Sequence, residues 1–249
     1  MIVEEQGIGF WTRVRLPSAP LSENRATKPK TGMVTRFFLN SKGGIMDGQA
    51  GIVLDQLFYG FDTAAYIFFW QIQNSLTLGI ADVCQYMGNS AAYIFCFVIS
   101  LFLCFPKKTR KYGVAMLTAF LVSLLLVNIL IKPGVGRLRP YITLQNTPFW
   151  ETYNTHWLKA GAHLEDDMSF PSGHTSLNFA IFTALASVLS KEKKKRAWIL
   201  LIIPIIVGIT RILRCVHYPS DVVAGMIFGI TAGLIGYLIA RRLVLRQRP

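Results

Sequence analysis

From about residue 88 onward, long apolar runs alternate with short polar interruptions. The runs fall near 88–105, 113–131, 174–190, 197–212 and 220–240. Each is close to the roughly 17 residues that a helix needs to cross bilayer hydrocarbon. The pattern predicts an all-α, polytopic membrane helix bundle. Residues 57–82 are also apolar, but Asp55, Asp62, Gln71, Gln73, Asn74 and Asp82 lie in or beside them. An isolated carboxylate at the bilayer centre costs about 2.5–3.5 kcal/mol on insertion scales. This segment therefore reads as amphipathic helix in the interface, a depth that suits Phe58, Tyr59, Phe61, Tyr66, Phe68, Phe69 and Trp70. A first span is the competing reading, so the bundle has five or six transmembrane helices.

Residues 1–50 break the pattern. They are polar and aperiodic, carry Pro17, Pro20 and Pro29, and predict a disordered tail ahead of a membrane domain at 51–249. Nothing there is apolar for long enough to be a signal peptide. Met33 and Met46 leave open a later start, and residues 1–45 are expected to be dispensable.

Composition supports a membrane protein: 52% of the residues are hydrophobic and only 16% charged, against about 25% charged in soluble domains. The mean hydropathy is +0.41. The net charge of +13 does not point to nucleic acid, which needs a continuous basic face. It sits in short loops instead. Lys107, Lys108, Arg110 and Lys111 follow the first run; Lys191, Lys193, Lys194, Lys195 and Arg196 follow the third; Arg241, Arg242, Arg246 and Arg248 follow the fifth. With five spans these segments share one side, which the positive-inside rule makes cytoplasmic. Cys84, Cys96, Cys104 and Cys215 have no CxxC spacing and read as small hydrophobes.

Three polar clusters fall at the other ends of the runs: Lys132-x6-Arg139-Pro140, Pro171-Ser172-Gly173-His174, and Arg211-x5-His217-x3-Asp221. The same threading puts all three on the extracytoplasmic face. Three fixed cations can neutralise a phosphate and the charge that spreads over its equatorial oxygens in the transition state. Pro171 and Ser172 favour a helix start, with Ser172 able to cap it, and a helix N-terminus receives anions. His174 there can protonate a leaving oxygen. Asp221, four residues beyond His217, can fix the ring tautomer and free the other nitrogen for attack. Arg137 and Arg214 fall outside the clusters and read as interfacial anchors. His156, His163, Glu165, Asp166 and Asp167 in the long loop 133–173 read as a solvated acidic loop rather than a metal site.

These clusters, over about residues 60–240, resemble the signature of the type 2 phosphatidic acid phosphatase family, which also includes vanadium haloperoxidases. Thr210 stands where the family usually has serine, and the hydroxyl is kept. The resemblance implies a phosphohistidine at His217, orientation of that ring by Asp221, and protonation of the leaving group by His174. It implies phosphate binding by Lys132, Arg139, Ser172, Gly173 and Arg211, with no metal and no other cofactor. The expected protein is a lipid phosphatase integral to the cytoplasmic membrane. Its partners would be the bilayer and a lipid phosphate or diphosphate, foremost undecaprenyl diphosphate, and not nucleic acid. Phosphatidylglycerophosphate, phosphatidate and lipid A phosphate stay open as substrates, as do a phosphotransferase, a haloperoxidase and a silent binding protein. The oligomeric state is not legible.

Overall fold

The computed structural model describes residues 49–192 and 195–245. Most of the tail expected at 1–50 lies outside the described residues, as do Lys193, Lys194, Arg246 and Arg248. The regular structure of the described residues is all helical, without strands. In chain order the helices are α1 (Gln49–Trp70), α2 (Ser75–Gln85), α3 (Ser90–Leu103), α4 (Arg110–Ser123), α5 (Pro140–Thr143), α6 (Trp150–Lys159), α7 (Gly173–Lys191), α8 (Ile202–Leu213) and α9 (Pro219–Ala240). The helix of α4 runs on through a π-helical stretch, Leu124–Ile131, to Lys132–Val135. Gly136 then ends it in the left-handed conformation, φ 62°, which glycine adopts without steric cost.

Among the described residues, three helical stretches are long and apolar enough to cross a membrane: Arg110–Asn146, Arg196–Leu213 and Pro219–Val244. A fourth forms if α2 and α3, bent by 56° at their junction, make one broken span. The α7 helix is different in kind. It holds Thr175, Ser176, Asn178, Thr183 and Ser187 and buries them all inside the bundle. Its polar side chains face protein rather than lipid.

Glycine sets how closely the central helices approach. Gly225, Gly229 and Gly233 form one stripe of α9 against α7. A Cβ on Gly229 would lie 2.4 Å from the Ser176 carbonyl oxygen, and one on Gly233 would lie 2.6 Å from the Thr183 Cβ. Small residues at such spacing let backbones touch where lipid offers no hydrophobic drive to pack. Ala115, Ala119, Ala180, Ala184, Val188 and Ala232 continue that contact among α4, α7 and α9.

The bundle has two chemically distinct ends. At one, Lys111 and Tyr112 at the start of α4 bind Glu192 just past α7. That joins two of the basic segments at a common end. The other end carries the C-terminal part of the long α4 helix and the N-termini of α7 and α9. All three polar clusters lie there.

The aromatic set expected at interfacial depth divides. Tyr59, Phe61 and Phe68 are exposed, whereas Tyr66 and Trp70 are buried in a cluster with Tyr141, Leu144, Tyr153, Ile212, Cys215 and Tyr218. Asp62, the residue whose charge argued for an interfacial helix, is buried as well. It is not isolated: Arg137 and Ser220 satisfy it. Its ion pair with Arg137 removes the premise of an unpaired carboxylate.

Candidate active site

His217 is held by a turn. At the end of α8, Cys215 takes the left-handed conformation, φ 56°. Its N–H bonds to the Ile212 carbonyl and the Val216 N–H to that of Arg211. This is a Schellman ending with cysteine where glycine is usual. It reverses the chain, so that His217 returns toward the helix end that bears Arg211. Distant side chains then fasten the exposed carbonyls. Tyr66 Oη donates to the His217 carbonyl at 2.7 Å, Arg139 Nη1 to that of Val216 at 2.6 Å, and Gln73 Nε2 to that of Leu213 at 2.7 Å. Tyr153 Oη donates to the carbonyl of Cys215.

The next helix opens at Pro219, as its position after His217 predicts. Asp221 lies in the first turn and its Oδ2 accepts the Tyr218 N–H at 3.0 Å. Ser169 Oγ donates to the same oxygen. The His217 Nδ1 lies 3.6 Å from Asp221 Oδ2, beyond hydrogen-bond reach, and has no other hydrogen-bond partner. On the opposite side of the ring, Arg139 Nη1 is 3.0 Å from Nε2. An arginine can only donate, so Nε2 is the acceptor and the proton belongs on Nδ1, facing Asp221. Burial, and then the charges of Arg139, Arg211 and Lys132, hold the His217 pKa well below the ordinary 6.5. The ring is neutral at neutral pH.

His174 sits in the first turn of α7. Its Nε2 is 3.2 Å from the Gln85 carbonyl, which can only accept, so Nε2 carries the proton. A Cβ on Gly88 would fall 2.2 Å from the His174 ring, so glycine there is a packing requirement. Gly173 approaches the cations: a Cβ on it would be 3.8 Å from Lys132 Nζ. Ser172 is at the N-cap position, but its side chain caps nothing. Its Oγ accepts from Thr175 at 3.0 Å, and its N–H bonds to the Asp221 carbonyl at 3.0 Å, tying the second cluster to the third. The expected Ser172 cap is therefore corrected to a cross-link between helix ends.

The cations converge on an acidic loop. Asp167 bridges Lys132 Nζ and Arg139 Nη2, and its backbone carbonyl accepts from Arg139 Nε at 3.0 Å. Glu165 pairs with Arg211 Nη2 at 2.5 Å. Arg211 also reaches Gln85 Oε1, whose backbone carbonyl holds His174. Burial alone would raise both carboxyls. For Glu165 the charges of Arg211 and Arg139 outweigh it, and for Asp167 those of Lys132 and Arg139, so both titrate below their ordinary values. The solvated acidic loop of the sequence reading is corrected: two of its carboxylates lie in the cation cradle. Among the described residues, no group of three or more His, Cys, Asp or Glu is arranged to hold a metal.

Three further readings change. Arg137 is no surface anchor; it is wholly buried and binds Asp55, Asp62 and Asp221. Arg214 is buried too and pairs with Asp82. Thr210 keeps its hydroxyl but spends it on the Val207 carbonyl at 2.7 Å, within α8.

The PAP2 superfamily model matches residues 112–244, more than half of the chain. This chain belongs to the PAP2 superfamily. Among curated proteins it is 32% identical over 138 residues to an undecaprenyl-diphosphatase of Sulfolobus acidocaldarius, covering 55% of this chain and 59% of that protein. It is 32% identical over 135 residues to a lipid A 1-phosphatase of Rhizobium etli, covering 52% and 51%. The chain thus spans a little over half the length of these relatives. A crystal structure of a PAP2-type phosphatidylglycerolphosphate phosphatase from Bacillus subtilis superposes with a TM-score of 0.59 at 24% identity, covering 86% of this chain and 97% of that one. That likeness confirms the PAP2 membrane fold.

Proposed function

We propose that this PAP2 protein is a membrane lipid phosphatase acting through a phosphohistidine. One observation carries the reading: Lys132, Arg139 and Arg211 converge, with His217 and His174, on a cluster whose present counter-ions are the carboxylates of Asp167 and Glu165. A phosphate is the natural exchange for those carboxylates, since guanidinium forks match both.

The proposed reaction runs in two halves. The phosphate displaces Asp167 and Glu165 and takes over Lys132, Arg139 and Arg211, with Ser172 and Gly173 lining its approach. Arg139 leaves Nε2 of His217 for the phosphate, freeing the lone pair. Nε2 attacks phosphorus, the bond to the leaving oxygen breaks, and that oxygen takes a proton from His174 in its imidazolium form, which the negative charge of the bound phosphate favours. Asp221 closes on Nδ1–H as the ring becomes positive. Water then attacks the phosphohistidine, His174 recovers its proton from that water, and phosphate leaves. Charge stabilisation rests on side-chain cations, so no metal is needed.

The favoured substrate is undecaprenyl diphosphate, the activity named for the Sulfolobus relative. A lipid A phosphate, phosphatidate or phosphatidylglycerophosphate fits the same cradle, because its cations and histidines address the phosphate and not the lipid. The basic segments at the opposite end of the bundle support a site on the extracytoplasmic face. Phosphate release by purified protein, in excess chelator and across a panel of lipid phosphates without acceptor lipid, tests the proposal. Release from one lipid class supports it. Release only with an acceptor lipid would make it a phosphotransferase, and no turnover of any lipid would make it a binding protein.

A further inference from the structure

Arg137 heads the fully buried side chains by size, and the steps above leave it without a role. Its guanidinium donates to Asp55 Oδ1 at 2.8 Å through Nε, to Asp62 Oδ2 at 2.9 Å through Nη2, and to Asp221 Oδ1 at 2.6 Å and Ser220 Oγ at 2.7 Å through Nη1. Its Cζ lies 3.8 Å from the Tyr218 ring centroid. Asp62 in turn accepts the Ser220 N–H at 2.7 Å and the Ser220 hydroxyl at 2.8 Å. One guanidinium therefore joins α1, the end of the α4 helix and the start of α9. None of its hydrogen-bond partners belongs to the cation cradle.

The division of labour at Asp221 is the telling feature. Oδ1 belongs to Arg137. Oδ2 receives Ser169 Oγ and the Tyr218 N–H and faces the unpartnered Nδ1 of His217 at 3.6 Å. A carboxylate can rotate, and it serves a histidine only while its other oxygen is fixed. We propose that Arg137 is a positioning residue for the reaction: clamped by Asp55 and Asp62, it holds Asp221 in the orientation that receives His217 Nδ1–H once Arg139 has left Nε2 for the phosphate. The proposal rests on His217 being the nucleophile.

Two substitutions test it. Arg137→Lys keeps the charge but cannot fork to three carboxylates. Asp62→Asn loosens the clamp without touching Asp221. Each should lower kcat about 10–100-fold, the cost of losing an outer orienting partner of a histidine. KM should stay within about two-fold, because the phosphate cradle is untouched. The deciding readout is coupling: in an Asp221→Asn background, either change should cost less than about two-fold more. Equal fold-losses in both backgrounds, or a rise in KM with kcat kept, would overturn the proposal. Should Arg137→Lys not fold, Asp62→Asn decides alone, and wild-type kcat there refutes it. Nitrogen NMR of His217 gives a readout without turnover. With vanadate in the cradle to draw Arg139 off Nε2, the Nδ1 proton of the wild-type ring should show a hydrogen bond to Asp221 that both variants weaken; an unchanged Nδ1 signal in the variants counts against the proposal. An inactive wild type with the expected Nδ1 shift would sink the phosphatase reading and leave the positioning role standing.

Discussion

Asp167→Asn should tighten phosphate binding. The wild-type carboxylate forms ion pairs with Lys132 and Arg139, and any phosphate that uses those cations must first displace it. The Asp167 side chain is 56% exposed, so screening limits each pair to about 0.2–1 kcal/mol. Together they give about 1 kcal/mol, which at 1.4 kcal/mol per decade is roughly five-fold. Asparagine keeps the shape and the backbone carbonyl that Arg139 Nε uses. The competition is over before chemistry begins, so kcat should not change. The Asp167 carboxyl already lies below 3.8 because Lys132 and Arg139 outweigh its burial. It is ionised throughout pH 5–8, and the gain should be the same across that range. The assay is the KM for a lipid phosphate in mixed micelles, together with the inhibition constant of inorganic vanadate. Both should fall about five-fold. An unchanged or higher KM, or a drop in kcat, would refute the idea that Asp167 is a displaceable counter-ion and make it a holder of the cations.

Gly88→Ala should displace the His174 ring, which its Cβ would meet at 2.2 Å, lowering stability and slowing turnover of lipid phosphates. A nitrophenyl phosphate, which needs no acid, should restore the rate for Gly88→Ala and for His174→Ala but not for His217→Ala; equal rescue of both histidine variants would reverse the assigned roles. Gly229→Val should prevent stable assembly, since its nearest neighbour is the fixed Ser176 carbonyl oxygen at 2.4 Å, whereas Gly60→Ala, with nothing within 4 Å of its Cβ, should stabilise the protein by about 0.5–1 kcal/mol in detergent melting. The His217 pKa is depressed below 6.5, so its reactive neutral form persists as pH falls through 6.5; the acid limb of kcat/KM should lie below that value, and a midpoint above it would contradict the buried neutral ring.

What the sequence shows and hides follows from the range of each interaction. The all-helical class and the three clusters are legible because each depends on neighbours in the chain, whereas the run at 174–190 gives a helix that is not among the apolar candidate spans. Proline suits the first helical position, which Pro219 occupies, and the spacing from His217 to Asp221 suffices to bring ring and carboxylate close. Arg137 is read wrongly because its partners Asp55, Asp62 and Asp221 lie 75 to 84 residues away. An arginine at the end of an apolar run looks the same whether lipid head groups or buried carboxylates receive it. Asp62 fails for the complementary reason: the cost of burying a charge was reckoned for a carboxylate alone. The two aspartates in the apolar α1 helix and the surplus arginine between Lys132 and Arg139 are each odd by themselves. Matching one oddity against the other was the available signal.

The acidic loop obeys the same logic. Lys132, Arg139 and Arg211 are all buried, and several buried cations in one cradle repel one another and lose hydration. An empty cradle of this kind would oppose folding unless anions entered it. Glu165 and Asp167 are those anions, held below their ordinary pKa values by the very cations they neutralise. A chain that builds a strong phosphate site must therefore supply its own stand-in for phosphate, and that stand-in sets a limit on affinity. The consequence is opposed effects in Asp167→Asn: the five-fold gain in phosphate affinity should come with a lower melting temperature in the absence of phosphate, and saturating phosphate or vanadate should abolish the difference. A variant that gained affinity with no loss of ligand-free stability would show that water, rather than the loop, compensates the empty cradle.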